Sequence, residues 1–164
     1  MVLTHIDGIC LDGFSEPTSI NDLHRSFCSC VPSTPGTYLI TRTSNRNPDF
    51  LPKSPAGWFK RKDPSYSPEV VQANWIQGAR VVYVGKAGGK NGLKGRLCQL
   101  LDFGFGKPVG HRGGRLLWHL KDSGALLVRW RTCAAEGADR AETDAIRSFK
   151  AVYGGKRPYA NMAK

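Results

Sequence analysis

At 164 residues the chain fits one domain, long enough to bury roughly two thirds of its unfolded surface without disulfide or metal staples. The formal charge of +11 is uneven: residues 1–31 hold four acids (Asp7, Asp12, Glu16, Asp22) and one base (Arg25), whereas residues 32–164 hold 23 bases and nine acids. Such a body suits a polyanionic partner, nucleic acid first, and the lack of a basic amphipathic helix or of an apolar run of about 18 residues argues against a membrane role.

The N-terminal stretch lacks the basic head and apolar core of a secretory signal. Cys10, Cys28, Cys30, Cys98 and Cys133 make an odd number, which reads as reduced thiols in a cytoplasmic protein. Cys28 and Cys30 are spaced C-x-C, tighter than the C-x₂₋₄-C that closes around zinc, so no zinc site is expected. Residues 1–31 read as an acidic extension packed on the body, with one short helix in "SINDLHRSF" capped near Ser19 or Asn21. "GTYLITR" is a strand by its β-branched and aromatic content, launched from the Pro32 to Pro35 turn. Residues 43–79 form a long insert rich in Pro, Ser and Asn, with Trp58, Phe59, Tyr66 and Trp75 set among Lys60, Arg61 and Lys62; stretches of this length inside a compact domain are functional or mobile more often than mere connectors.

"RVVYVGKA" is a second strand, and the glycines that follow break it before the helix "LKGRLCQLLDFG", closed by Gly104. "GGRLLWHLKD" reads as a helical turn or two. "ALLVRWRTC" is a third strand, alternating Leu127, Arg129 and Arg131 with Val128, Trp130 and Thr132. "ADRAETDAIRSFKAVYGG" is the clearest helix, with Asp139 as N-cap and Gly154 or Gly155 as stop. The order of elements implies a small mixed α/β domain, a sheet covered by helices, spanning residues 32–164.

Glu142 has two readings. Asp139-x-x-Glu142 fits a capping-box-like helix start, in which the acid answers the helix dipole. On the helical wheel, however, Ile146, Phe149 and Tyr153 fall within about 40° of it, and a carboxylate along a buried face is costly unless paired or metal-bound. Arg96 lies beside the apolar arc of Leu93, Leu97 and Leu100, where a snorkelling surface residue and a planar phosphate ligand are both open. Tyr38 and Tyr83 are strand tyrosines that would ordinarily pack. To act as a base near neutrality, either needs positive charge beside it, which Lys86 and Arg96 can supply. "GHRGGR" combines His111, Arg112 and Arg115 with glycines that let backbone N–H groups approach an anion.

Taken in order, "GTY" at 36–38, "YVG" at 83–85, "GLKGRL" at 92–97, Glu142 in the last helix and "RPYAN" ending at Asn161 resemble the GIY-YIG nuclease family. The resemblance implies a three-stranded antiparallel sheet flanked by helices. It makes Tyr38 and Tyr83 the two motif tyrosines, Arg96 the phosphate arginine, Glu142 the sole protein carboxylate on one Mg²⁺, with Mn²⁺ able to substitute, and Asn161 a supporting polar residue. Tyr38 is expected to take the proton of the attacking water, assisted by Lys86. His111, in preference to His119, corresponds to an additional site histidine of parts of the family. Thr37 and Val84 replace the usual isoleucines, and the 44 residues from Leu39 to Val82 far exceed the usual hairpin. Long inserts there resemble the restriction-endonuclease branch, in which loops read DNA, and Lys60, Arg61, Lys62, Arg112 and Arg115 are the expected DNA contacts. The expected activity is Mg²⁺-dependent, sequence-specific DNA cleavage, with a homodimer able to cut both strands. A structure-selective nuclease on branched or single-stranded DNA and a non-catalytic nucleic-acid-binding module are the alternatives.

Overall fold

The computed structural model of the chain describes residues 2–162. Its elements in order are strands β1 (His5–Ile6), β2 (Ile9–Cys10) and β3 (Thr18–Ser19), helix α1 (Ile20–Arg25), strand β4 (Gly36–Thr41), helix α2 (Pro68–Asn74), strand β5 (Val81–Ala87), helix α3 (Gly92–Gly104), strand β6 (Leu127–Thr132) and helix α4 (Ala138–Val152). β1 and β2 form a hairpin, and the other strands form one antiparallel sheet in the order β3-β6-β4-β5. The mixed α/β class is as expected, but the sheet has four strands, not three. The added strand comes from the N-terminal segment, where Thr18 pairs with Val128 and Ser19 with Leu127; two residues carry no periodicity for a sequence reading to detect.

β4 lies between β6 and β5 and is buried at every position. Alternation splits its side chains between two cores. Tyr38 and Ile40 pack with Leu93, Leu97 and Leu100 of α3 and with Trp118. Leu39 and Val84 pack on the other face with Ile146 and Phe149 of α4 and with Ile6 and Ile9 of the hairpin. Helix ends follow the expected chemistry in part. Ser19 caps α1 by accepting from Asp22 N at 3.1 Å, and Gly154 and Gly155, with φ of 63° and 87°, end α4. Asp139 is not the cap of α4: Gly137 holds that position without a side-chain hydrogen bond, and Asp139 instead pairs with Lys86. "GGRLLWHLKD" contains a short 3₁₀ segment, Arg115–His119.

Residues 1–31 are built into the body. The β1–β2 turn is Asp7-Gly8, with φ of 50° and 82°, the pattern of a type I′ turn. From that turn the Asp7 carboxylate accepts hydrogen bonds from Arg80 N, Val81 N and Tyr153 Oη, each at 2.7 Å. One side chain thereby joins the start of β5 to the end of α4. The insert is also tied down and contains α2, capped by Ser67, which the sequence reading lacks. Phe50 bridges to Leu120 and, with Trp75 and Tyr159, forms an aromatic cluster with ring centroids 5.2–6.0 Å apart. Among the described residues, no helix is long and apolar enough to cross a membrane.

Asp7→Ala strips the acceptor from two backbone N–H groups and a tyrosine hydroxyl, so chemical denaturation is expected to show a loss of about 3 kcal/mol. Asp7→Asn, which retains one acceptor oxygen, should lose less.

Candidate functional site

The site is organised by the β4–β5 register, which sets Tyr38 opposite Gly85 and Ile40 opposite Tyr83. Partners across antiparallel strands share a face, so Tyr38 and Tyr83 lie diagonal to each other with ring centroids 6.0 Å apart. The Tyr38 ring occupies the space where a side chain at position 85 would stand, so that a Cβ on Gly85 would overlap its hydroxyl end. On the opposite face the Thr37 hydroxyl donates to Gly85 O at 2.8 Å.

Arg96 is placed by the way α3 begins. The first helical N–H groups have no partner within a helix; here Leu93 N donates to Thr34 O at 2.9 Å and Lys94 N to Pro32 O at 3.0 Å. Gly92 makes this approach with φ 56°, and a Cβ there would press on the backbone of Ser33 and Thr34. The helix is thus locked to the chain entering β4, with half-buried Arg96 directed toward the tyrosines. Gly113 completes the cluster: its position faces the Tyr83 hydroxyl, and an ideal Cβ on it would lie 3.3 Å from Arg96 Nη2. Arg115 Nε donates to His111 O at 3.2 Å, and its guanidinium lies 5.4 Å from the Phe103 ring centre.

On the outer edge of β5, the Asn161 side chain behaves as an extra strand residue: Oδ1 accepts from Val84 N and Nδ2 donates to Val84 O, both at 2.8 Å. Ala160 N donates to Val82 O at 2.8 Å, and Arg157 Nε to Asn161 O at 3.0 Å. From α4, half-buried Glu142 stands at the head of the stripe formed by Ala145, Ile146 and Phe149. With Gly137 capping the helix, the capping-box reading of Glu142 falls away.

These groups border an open cleft of about 1120 Å³. Tyr83, Lys86, Arg96, Arg112, Arg115, Glu142 and Asn161 all line it, so seven of the expected residues meet there. Tyr38 and His111 stand behind the wall, with relative exposures of 0% and 4%. Lys60, Arg61 and Lys62 are exposed on a hairpin outside the cleft. His119 serves the fold: Nε2 accepts from Tyr66 N at 3.0 Å, which leaves Nδ1 to donate to Leu51 O at 2.9 Å. The sequence reading misses Tyr66, Lys90, Gln99 and Arg157 on the wall. Gln99, three residues beyond Arg96 on α3, and Arg157, inside "RPYAN", had sequence signals of position; Tyr66 had none, because the insert delivers it.

Burial dominates the ionisation of the site. It holds Tyr38 well above the ordinary tyrosine range, with Tyr83 adding to the rise and Arg96 opposing it. Burial also raises Tyr83, against Arg96 and with Glu142. His111 is pushed down to about 4, first by burial and then by the charge of Arg96, with the backbone of Gly113 opposing the shift. Glu142 is the one carboxylate among the cleft residues. An open-walled carboxylate fits a hard divalent cation such as Mg²⁺, which keeps several waters and needs few protein ligands. Among the described residues, no group of three or more His, Cys, Asp and Glu side chains is arranged to hold a metal.

Comparison with family models, with curated proteins and with solved structures finds no match to the chain.

His111 accepts a proton more readily unfolded than folded, because its folded value lies at about 4 against an ordinary 6.5. Its neutral burial therefore stabilises the fold fully above pH 6.5, and that contribution disappears as pH falls toward 4, about 3 kcal/mol in all. Urea denaturation across this window should show wild-type stability falling more steeply than that of His111→Gln; parallel curves would count against it.

Proposed function

We propose that the chain is a divalent-metal-dependent endonuclease that hydrolyses DNA phosphodiester bonds, in the manner of the GIY-YIG nucleases that its ordered motifs resemble. One observation carries the reading: six basic side chains (Lys86, Lys90, Arg96, Arg112, Arg115, Arg157) surround one carboxylate and two tyrosines, Tyr66 and Tyr83, in a single open cleft. Such a field concentrates a phosphodiester, and glycines at 88, 89, 92, 113 and 114 on its wall allow close backbone approach to an anion.

In this reading Arg96 offers a planar fork to the scissile phosphate and opposes the charge that builds on it. Tyr83, at the wall, takes the proton of the attacking water as its phenolate while the new P–O bond forms; the bond to the leaving oxygen breaks and that oxygen takes a proton from solvent. Tyr38, whose sequence reading made it the base, lies wholly behind the wall; here it supports Tyr83 from beneath. Asn161 fixes the β5 segment that carries Tyr83, and Lys86, held by Asp139, stands near that strand's end. Glu142 is the residue that would hold Mg²⁺ or Mn²⁺, whose chemistry is to polarise the phosphate and lower the pKa of bound water. The long insert beside the cleft favours reading of duplex sequence over branched structure, as in a restriction-type enzyme.

With plasmid and Mg²⁺, wild type is expected to nick or linearise, and Glu142→Gln and Arg96→Ala to lose about 100-fold or more in rate. If wild type and Glu142→Gln behave alike, the reading is wrong. Tyr83→Phe should lose far more activity than Tyr38→Phe, and the reverse order would return the role of base to Tyr38. The wild-type rate should rise about tenfold per pH unit from pH 6 upward, because the phenolate fraction does so below a raised tyrosine pKa.

A further inference from the structure

The hairpin at residues 58–62 has a geometry that its sequence does not favour. Phe59 and Lys62 pair, Lys62 N donates to Phe59 O at 3.0 Å, and the two central residues, Lys60 and Arg61, have φ of 50° and 62°. This is a type I′ turn, whose central positions ordinarily take Asn and Gly because both require positive φ. Two long cationic side chains stand there instead, on a strained backbone of the kind that gathers at ligand-binding elements.

The hairpin is held firmly at its root. Gly57 N donates to Phe103 O at 2.8 Å, and Ser54 N to Ser65 Oγ at 2.8 Å. The Phe59 ring edge lies 3.0 Å from the ideal Cβ position of Gly110, where the loop carrying Arg112 and Arg115 into the cleft begins. The tip therefore projects from a rigid base beside the cleft wall. Trp58 is 57% exposed. Lys60 Nζ lies back over the Phe59 ring, 5.4 Å from its centre. Arg61 forms no ion pair among the described residues, and the nearby Asp63 is engaged with Lys53 at 3.7 Å. Nothing in the fold accounts for an arginine at this position.

We infer that residues 58–62 enter a groove of duplex DNA, with Arg61 reading a guanine edge while Lys60 and Lys62 hold flanking phosphates. The inference rests on the proposed action on DNA and adds the element that selects sequence. A two-residue turn is the narrowest tip that a β-ribbon offers, and the major groove of B-form DNA, about 12 Å wide, admits such a ribbon. The arginine fork matches the paired acceptors O6 and N7 of guanine, whereas lysine suits a phosphate as a point charge. A-form RNA has a deep, narrow major groove that side chains do not read.

The experiment enriches a randomised DNA duplex pool on wild type, Arg61→Gly, Arg61→Lys and Lys60→Asn, without divalent metal, and compares affinity for the enriched duplex and for an RNA duplex of the same sequence. Glycine suits positive φ, so Arg61→Gly should melt no lower than wild type. Wild type should enrich a motif containing guanine. Arg61→Gly should lose selection at that guanine, with affinity for the wild-type motif falling about tenfold or more, and Arg61→Lys, whose ammonium still donates to O6 and N7, should lose less. Lys60→Asn should weaken all duplexes alike and leave the motif intact. Affinity for the RNA duplex should be lowered far less by Arg61→Gly than affinity for the DNA motif. Enrichment of the same motif by wild type and Arg61→Gly, no motif with wild type, or equal losses on DNA and RNA would each overturn the inference. Cleavage is assayed separately on plasmid, so an inactive protein that selects a motif through Arg61 would refute the nuclease reading and leave the hairpin's role standing.

Discussion

The contact of Tyr38 with Gly85 is the constraint from which the rest of the site takes its position. The ring lies where a side chain at position 85 would stand, so β4 and β5 pair closely only in the register that leaves this gap. A slip of β4 by one residue would turn Tyr38 toward α4, away from Tyr83, and Leu39 toward α3. Other parts of the site are referenced to the same short ladder. Asn161 grips Val84, the residue before Gly85, from the far edge. The first turn of α3 is bonded to Pro32 and Thr34, just ahead of β4, so Arg96 follows the strand on which Tyr38 sits. Glu142 arrives independently, on a helix packed against the other face through Ile146 and Phe149. The cleft forms where the two faces meet past β5.

Two opposing effects set the charge states within it. Burial disfavours any ionised group, whereas Arg96 favours a phenolate and disfavours an imidazolium. For His111 both act in one direction, and the ring is neutral across the physiological range. For Tyr38 and Tyr83 they oppose each other, and burial prevails. The cleft thus combines weakly ionised tyrosines with six cations, of which Lys86 is answered by Asp139. Crowded cations of this kind repel one another, and a polyanion relieves the repulsion; the same field that weakens the empty site strengthens the filled one.

The parts legible in the sequence are those with local causes. β4, β5 and β6 declare themselves by β-branched and aromatic content, α4 by its apolar stripe, and its end by two glycines. The wheel puts Glu142 in line with Ile146 and Phe149, and the side chain stands half-buried at the cleft end of that stripe. The parts that were not legible depend on distant partners. Thr18 and Ser19 become a strand only because β6 offers an edge. Asp139 has the chemistry of a cap, but Lys86 on a neighbouring strand claims it and the helix begins without a side-chain cap. Asp7, which the sequence shows only as one of four acids in residues 1–31, fastens β5 to α4. The turn at Lys60 and Arg61 was hidden because its residues are the wrong ones for its geometry.

That mismatch bears on the insert as a whole. Four residues before the end of the cleft-bordering segment 115–119 the chain is at the wall, and at its end His119 reaches the insert with both ring nitrogens: Leu51 O on one side and Tyr66 N on the other. Tyr66 N is thereby fixed, and its side chain joins the cleft. Between those two anchors lies the hairpin that carries Lys60 and Arg61. At the far end of the insert, Trp75 packs against Tyr159 with centroids 5.2 Å apart, two residues before Asn161 clamps β5. The insert is accordingly fastened to the same elements that hold the cleft, and an exposed arginine stands at its tip. A segment with only a linking role would need neither the anchors nor the strained turn.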